Sequence, residues 1–197
     1  MSEEPKIILA STSPYRKEAF EFLGIPFKIE ASHVDEYTAK RPTNATKLVQ
    51  HLAKLKAEAV ATRHSSGIIL GFDSVGYYNG AILEKPKNIS DAHHRLQMLS
   101  GETFIFATGI HLINIDLAYI IPKVVITMAK MRKLSDIEIS KYLALDKTYN
   151  TYAIGFDPLG KLSSSFVSHV EGCPHNLLRG FPIPKVVEML KTTKVMS

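Results

Sequence analysis

The segment Ile7-Ile8-Leu9-Ala10-Ser11-Thr12-Ser13-Pro14-Tyr15-Arg16-Lys17 constrains the fold more than any other stretch of the chain. Four apolar residues read as a buried strand, and the chain then turns without a linker into Ser13 as a helix N-cap and Pro14 at the first helical position. That helix is predicted to run to Leu23 and to stop at Gly24. A strand that feeds directly into a helix N-terminus starts an alternating α/β pattern, and the rest of the chain keeps to it.

Residues 44–62 place Ala45, Leu48, Val49, Leu52, Leu55 and Val60 at helical spacing, with Thr43 or Asn44 available as cap. Gly67 to Phe72 reads as a second apolar strand ending at Asp73, and Asn79-Gly80 between Tyr78 and Ala81 is a tight-hairpin signal. A helix is predicted from Ser90 to Leu99, closed by Ser100-Gly101. Segments 103–115 and 119–131, rich in Ile, Val, Phe and Thr, resemble a long antiparallel hairpin, and Pro122 puts the start of its second strand at an edge or bulge. Ser135-Asp136-Ile137-Glu138 has the capping-box pattern and opens a helix to Leu145. Tyr149 to Val170 reads as irregular, and a last helix spans Pro184 to Lys191. With no repeat and no low-complexity linker, residues 1–197 are expected to form a single α/β domain, folded in one core or two closely joined lobes.

The totals narrow the class. A chain of 197 residues with 45% hydrophobic and 22% charged residues has the composition of a soluble globular protein. No apolar run approaches the roughly 18 residues that span a bilayer, and Met1-Ser2-Glu3-Glu4-Pro5-Lys6 has no signal-peptide character, so a cytoplasmic location without membrane partners is expected. The single Cys173 excludes an internal disulfide framework. A net charge of +5 favours anionic partners, but no block of consecutive cations nominates nucleic acid.

The turn after the opening strand suits an anion. Ser11, Thr12 and Ser13 add hydroxyl donors to the unpaired N–H groups and positive dipole end of a helix N-terminus, and Arg16 and Lys17 add charge. The same residues also fit a plain N-cap followed by a solvated basic turn. Asp73, at the carboxyl end of an apolar strand, stands where open α/β sheets place ligand-handling residues. Asp35-Glu36 offers more carboxylates, and Glu84-Lys85-Pro86-Lys87 two cations. Singly these read as a turn aspartate, a solvated acidic pair and loop lysines. Jointly they supply carboxylates for a hard divalent ion and cations for phosphates, which phosphoanhydride hydrolysis requires. Cys173-Pro174-His175 lacks an activating constellation, and adjacent His93 and His94 on a helix face different ways, so neither suggests chemistry.

Ile8 to Arg16, Val34-Asp35-Glu36, Leu52 to Ala57, Gly71-Phe72-Asp73-Ser74-Val75, Leu83-Glu84-Lys85-Pro86, Leu99-Ser100-Gly101, Leu134 to Glu138 and Val170-Glu171-Gly172 together resemble, in order and spacing, the Maf family of septum-formation-inhibitor-like nucleoside triphosphate pyrophosphatases. The resemblance implies an α/β fold related to the inosine-triphosphate pyrophosphatases, with a mixed twisted sheet, flanking helices and two lobes around a cleft. It implies hydrolysis of a nucleoside triphosphate between its α and β phosphates with a divalent cation, Mg²⁺ or Mn²⁺, and a homodimer is a family-based expectation. Carried over by position, Asp73 matches the proton acceptor, which can equally serve as a metal ligand, and Glu36 the metal-associated carboxylate. Ser11, Ser13 and Arg16 match the phosphate-binding loop, and Lys56 and Lys85 the cleft lysines.

Three positions follow the base in this family. Tyr15, Ser74 and Asp157 stand where the dTTP- and UTP-acting branch has arginine, threonine and glutamine, and Tyr15 and Asp157 resemble the branch of bacterial 7-methyl-GTP pyrophosphatases. The chemistry agrees, because N7-methylation makes guanine cationic, an aromatic face attracts cations, and a carboxylate accepts from guanine N1 and N2 hydrogens. Tyr15 and Asp157 also fit a packed ring and a turn residue before Pro158. The resemblance thus points to 7-methyl-GTP, with a pyrimidine triphosphate as the alternative. A nucleotide-binding division regulator with little turnover is the reading from another class. Departures from the family pattern are Phe72 for a small residue, Gly76 for a β-branched one, Tyr149-Asn150-Thr151-Tyr152 for an Asp-Lys-Ala-Gly stretch, and Arg179 inside an apolar closing segment.

Overall fold

The computed structural model of the chain describes residues 6–38, 41–193 and 195; the Met1–Pro5 start, read above for targeting signals, lies outside them. The elements are β1 (Ile7–Ala10), α1 (Pro14–Glu21), β2 (Phe27–Ile29), α2 (Ala45–Ala61), β3 (Ile68–Tyr78), β4 (Ala81–Leu83), α3 (Ile89–Leu99), β5 (Thr103–Asn114), β6 (Tyr119–Met131), α4 (Asp136–Leu145), β7 (Val167–Glu171), α5 (Pro174–Arg179) and α6 (Ile183–Lys191). The seven strands form a mixed sheet in the order β2-β1-β3-β5-β6-β7, with β4 paired to β3 outside that path. β1 runs parallel to β2 and β3, whereas β4 lies antiparallel to β3 and β7 antiparallel to β6. The fold is therefore mixed α/β, as expected. No helix among the described residues is long and apolar enough to cross a membrane.

The chain divides into two compact units, one drawn from Met1–Asp73, Thr108–Val125 and Arg179–Ser197, the other from Ser74–Ala107 and Ile126–Leu178. In the first, β1 is buried on both faces, which explains its unbroken apolar run. Ile7 and Leu9 pack with Phe20, Ile68, Leu70, Phe72 and Phe181 on one face. Ile8 and Ala10 pack with Ala57, Val60 and Ile69 on the other. On that second face α2 approaches the sheet at backbone distance. A Cβ on Gly71 would lie 2.2 Å from the Ala53 carbonyl oxygen, and one on Gly109 would lie 2.2 Å from that of Val49. Two glycines, one on β3 and one on β5, thus seat the helix.

The second unit has its own core, in which Leu96 and Leu99 of α3 meet Phe104, Phe106, Met131, Tyr142, Phe156 and Phe166. Asn79 and Gly80 take φ of 45° and 82°, and Tyr78 registers with Ala81, so the two-residue hairpin read from Asn-Gly is present. The capping box is also present: Ser135 N–H donates to Glu138 Oε2 at 3.0 Å, and Glu138 N–H donates to Ser135 Oγ at 3.3 Å. The crowded Gly76 has a local reason, since a Cβ there would sit 3.1 Å from both Ile154 Cγ2 and Leu83 Cβ.

Boundaries and elements differ from expectation: α1 ends at Glu21 rather than Leu23, and β7 takes up the end of the stretch read as irregular. β3 does not end at Asp73 but continues to Tyr78, because β4 supplies a partner strand from Gly76 onward. The segment before Asp35 holds a short strand, β2, at Phe27–Ile29, for which no expectation was given. The stretch after Gly172 contains a short helix, α5, opening at Pro174, which had not been expected. Pro122 sits in a part of β6 outside its β7 pairing, which covers Met128–Met131, in keeping with a proline at an edge.

Candidate active site

β1 pairs with β3 as far as Ala10 opposite Gly71, and the chain of β1 then leaves for α1. Asp73 follows two residues later on β3, beyond the carboxyl end of the parallel pair, where α/β sheets open for ligands. Side chains alternate along a strand, so Asp73 shares the face of Gly71 and Ile69, the face that α2 covers. That geometry brings a lysine of α2 to the carboxylate. Lys56 Nζ donates to Asp73 Oδ1 at 2.7 Å. The same ammonium lies 2.9 Å from Glu36 Oε1, in the loop after β2. The Lys56 and Asp73 side chains are 11% and 10% exposed and that of Glu36 39%, so the cation bridges one buried and one partly open carboxylate.

Arg16 stands near enough to this group to feel the charges of Asp73 and Glu36. Its Nε donates to the Gly180 carbonyl at 3.2 Å and its Nη1 to the Phe72 carbonyl at 3.3 Å, with Ser11 Oγ at 3.5 Å. The Arg16 guanidinium also lies 5.7 Å from the centre of the Phe72 ring, which packs on Phe181. Phe72, a departure from the family pattern, is thus a buried wall of the Arg16 site. Ser13 caps α1, its Oγ accepting from Arg16 N–H at 3.4 Å, and Ser11 Oγ accepts from Ser13 N–H at 3.2 Å. Ser11, Ser13 and Arg16 therefore form one hydrogen-bonded turn.

Burial dominates the electrostatics. It pushes the Asp73 carboxyl above its ordinary value, against the pull of the Lys56 and Arg16 charges. Burial also lowers the Arg16 guanidinium, while Asp73 and Glu36 oppose that shift. The result is a buried acid, two cations and a second acid within one unit. Such a set can neutralise phosphate charge and hold or accept a proton at a carboxylate.

The other expected residues fall elsewhere. Ser74, next along β3, points to the opposite face from Asp73 and begins the second unit. Lys85, exposed after β4, and Asp157 belong to that unit too. Asp157 Oδ1 accepts from Leu159 N–H at 2.9 Å, and its carbonyl accepts from Ser163 Oγ at 2.6 Å, so this residue also organises a turn. Tyr15 is half-buried on α1, and the Arg179 guanidinium lies 5.8 Å from its ring centre. Arg179 and the Gly180 carbonyl were not among the expected site residues. The only signal for them was a cation inside the apolar stretch Leu177 to Phe181.

The Cys173 carbonyl accepts from Thr127 Oγ1 at 3.0 Å, and buried Asn176 donates to the Phe106 carbonyl at 3.2 Å. Among the described residues, no three or more His, Cys, Asp or Glu side chains cluster as a metal-holding group.

Comparison with known proteins places these residues in context. The family model described as Maf-like protein matches residues 6–193. A protein of Synechococcus sp. (strain JA-2-3B'a(2-13)) named nucleoside triphosphate pyrophosphatase is 36% identical over 188 residues, 95% of this chain and 93% of its own. One from Bacillus cereus (strain ATCC 10987 / NRS 248) named dTTP/UTP pyrophosphatase is 39% identical, covering 94% of this chain and 89% of its own. A crystal structure of a nucleoside-triphosphatase / dITP/XTP pyrophosphatase from Mycobacterium abscessus aligns over 94% of each chain with 12% identity and a TM-score of 0.46, a likeness that adds nothing to these matches.

Proposed function

The chain belongs to the Maf family, and we propose that it is a nucleoside triphosphate pyrophosphatase, cleaving between the α and β phosphates to give a nucleoside monophosphate and pyrophosphate. The observation that carries this reading is the Lys56 ammonium set between Asp73 and Glu36, beside the Ser11–Arg16 turn. Asp73 orients the attacking water or takes its proton, a task suited to a carboxyl that burial has raised. Arg16 anchors the Phe72 carbonyl and so fixes the backbone that presents Asp73. Lys56, Arg16 and the hydroxyls of Ser11 and Ser13 face the negative charge that builds on the phosphates.

Glu36 and Asp73 fit a hard divalent ion such as Mg²⁺ or Mn²⁺. Two carboxylates converging on one cationic group suit an ion held by one or two protein carboxylates and by substrate phosphates, rather than by an all-protein cage. Such an ion supplies charge neutralisation and polarisation of the phosphoryl oxygens when bound.

For the base, the reading is 7-methyl-GTP: Tyr15 offers a ring to a cationic purine and Asp157 a carboxylate to guanine N–H groups. A specific finding favours a second reading, dTTP or UTP, since the Bacillus relatives bear that name and Asp157 has a turn to hold. A panel of 7-methyl-GTP, GTP, dTTP and UTP, assayed for pyrophosphate with Mg²⁺ and Mn²⁺, tests both. The first reading expects 7-methyl-GTP to lead, and Tyr15→Arg to reduce its turnover selectively. Faster turnover of dTTP or UTP establishes the second, and an equal loss on every triphosphate removes Tyr15 from the base site. Failure of every triphosphate to yield pyrophosphate overturns the enzyme.

A further inference from the structure

Arg179 follows Leu177 and Leu178 and precedes the buried Gly180 and Phe181, and its own side chain is only 12% exposed. A guanidinium so enclosed needs a counter-charge. Glu18 supplies it as an ion pair, with Oε2 2.9 Å from Arg179 Nε, while Arg179 Nη2 donates to Glu18 Oε1 at 3.4 Å. Glu18 lies three residues after Tyr15 on α1, so the two side chains share a helix face. The guanidinium is thereby set over the Tyr15 ring.

We propose that Arg179, balanced by Glu18, is a specificity-determining residue that sets how well the Tyr15 ring accepts a positively charged base. The inference rests on the reading that Tyr15 meets the base. A ring that already holds a cation on one face is a weaker partner for a second one, and the two positive charges repel through it. The Glu18 carboxylate compensates that repulsion. Loss of the Glu18 charge leaves an uncompensated cation beside the ring, whereas loss of the Arg179 charge leaves an uncompensated anion. A neutral base senses either change weakly and a cationic base strongly.

The readout is the kcat/KM ratio of 7-methyl-GTP to GTP, two purines that differ in the charge of the base. Glu18→Gln is expected to lower that ratio about threefold to tenfold, and Arg179→Gln to raise it by a similar factor. The double variant returns it close to the wild-type value. A purely structural role would depress both triphosphates together, so an unmoved ratio, or a shift of the same sign in both single variants, overturns the inference. Glu18 is half-exposed, so Glu18→Gln carries the test even where Arg179→Gln folds poorly. Tyr15→Leu separates the two levels of the argument. If it leaves the ratio unchanged, or if neither triphosphate turns over, the base-site reading falls and the inference with it. If Tyr15→Leu moves the ratio and the charge variants do not, only the inference falls.

Discussion

Lys56 shows how one side chain can decide the state of a site. Without it Asp73 and Glu36 would be two acids repelling each other, one of them buried; its charge opposes the rise that burial imposes on the Asp73 carboxyl. A contrasting residue is His111, which is 4% exposed on β5 and has no partner for either ring nitrogen among the described residues. Burial lowers its pKa below 6.5, while Glu58 of α2 raises it and Lys54 of α2 lowers it further. The sign follows directly. The unfolded chain takes up the proton first, so stability is full above an unfolded value of about 6.5 and is lost as pH falls from there towards the folded pKa. Melting temperatures measured from neutral to mildly acidic pH should therefore fall more steeply for the wild type than for His111→Phe. Parallel curves would show that the imidazole does not carry this acid sensitivity.

At the scale of elements, the contact between α2 and the sheet builds the site. Gly71→Ala would drive a methyl group into the Ala53 carbonyl and to within 2.8 Å of the Ala57 Cβ, and neither is a flexible side-chain end. The helix must lift, and Lys56 lifts with it. The expected cost is about 1 to 3 kcal/mol of stability, read by denaturant unfolding, together with a fall in turnover. A Gly71→Ala variant as stable and active as wild type would refute this seating.

The elements that were legible in the sequence carry their own local signals. Ser13-Pro14, Asn79-Gly80 and the Ser135/Glu138 box each fix a start or a turn through bonds that span at most three residues. What was not legible depends on distant partners. The continuation of β3 past Asp73 rests on β4, and a charged residue inside an apolar run otherwise reads as a strand end. α5 is six residues long, too short to show periodicity. Asp73 could be suspected from its place on a strand and grouped with Glu36 by its chemistry, but their meeting is set by tertiary packing, and Lys56 was expected there only through family resemblance. The Arg179 pairing with Glu18 had no signal beyond a cation in an apolar stretch.

At the scale of the molecule, the chain of β3, β5 and β6 supplies residues to each of the two compact units. The charged group of Arg16, Glu36, Lys56 and Asp73 belongs wholly to the first unit, and the net charge of +5 favours anionic partners. The central claim is that this assembly directs water to the bond between the α and β phosphates. Product analysis of the leading triphosphate, with wild type and Asp73→Asn compared under saturating divalent cation, tests it most directly. The account predicts equal amounts of monophosphate and pyrophosphate from the wild type, with the rate reduced at least about a hundredfold in the variant. Release of diphosphate and inorganic phosphate, or undiminished pyrophosphate from Asp73→Asn, would contradict it.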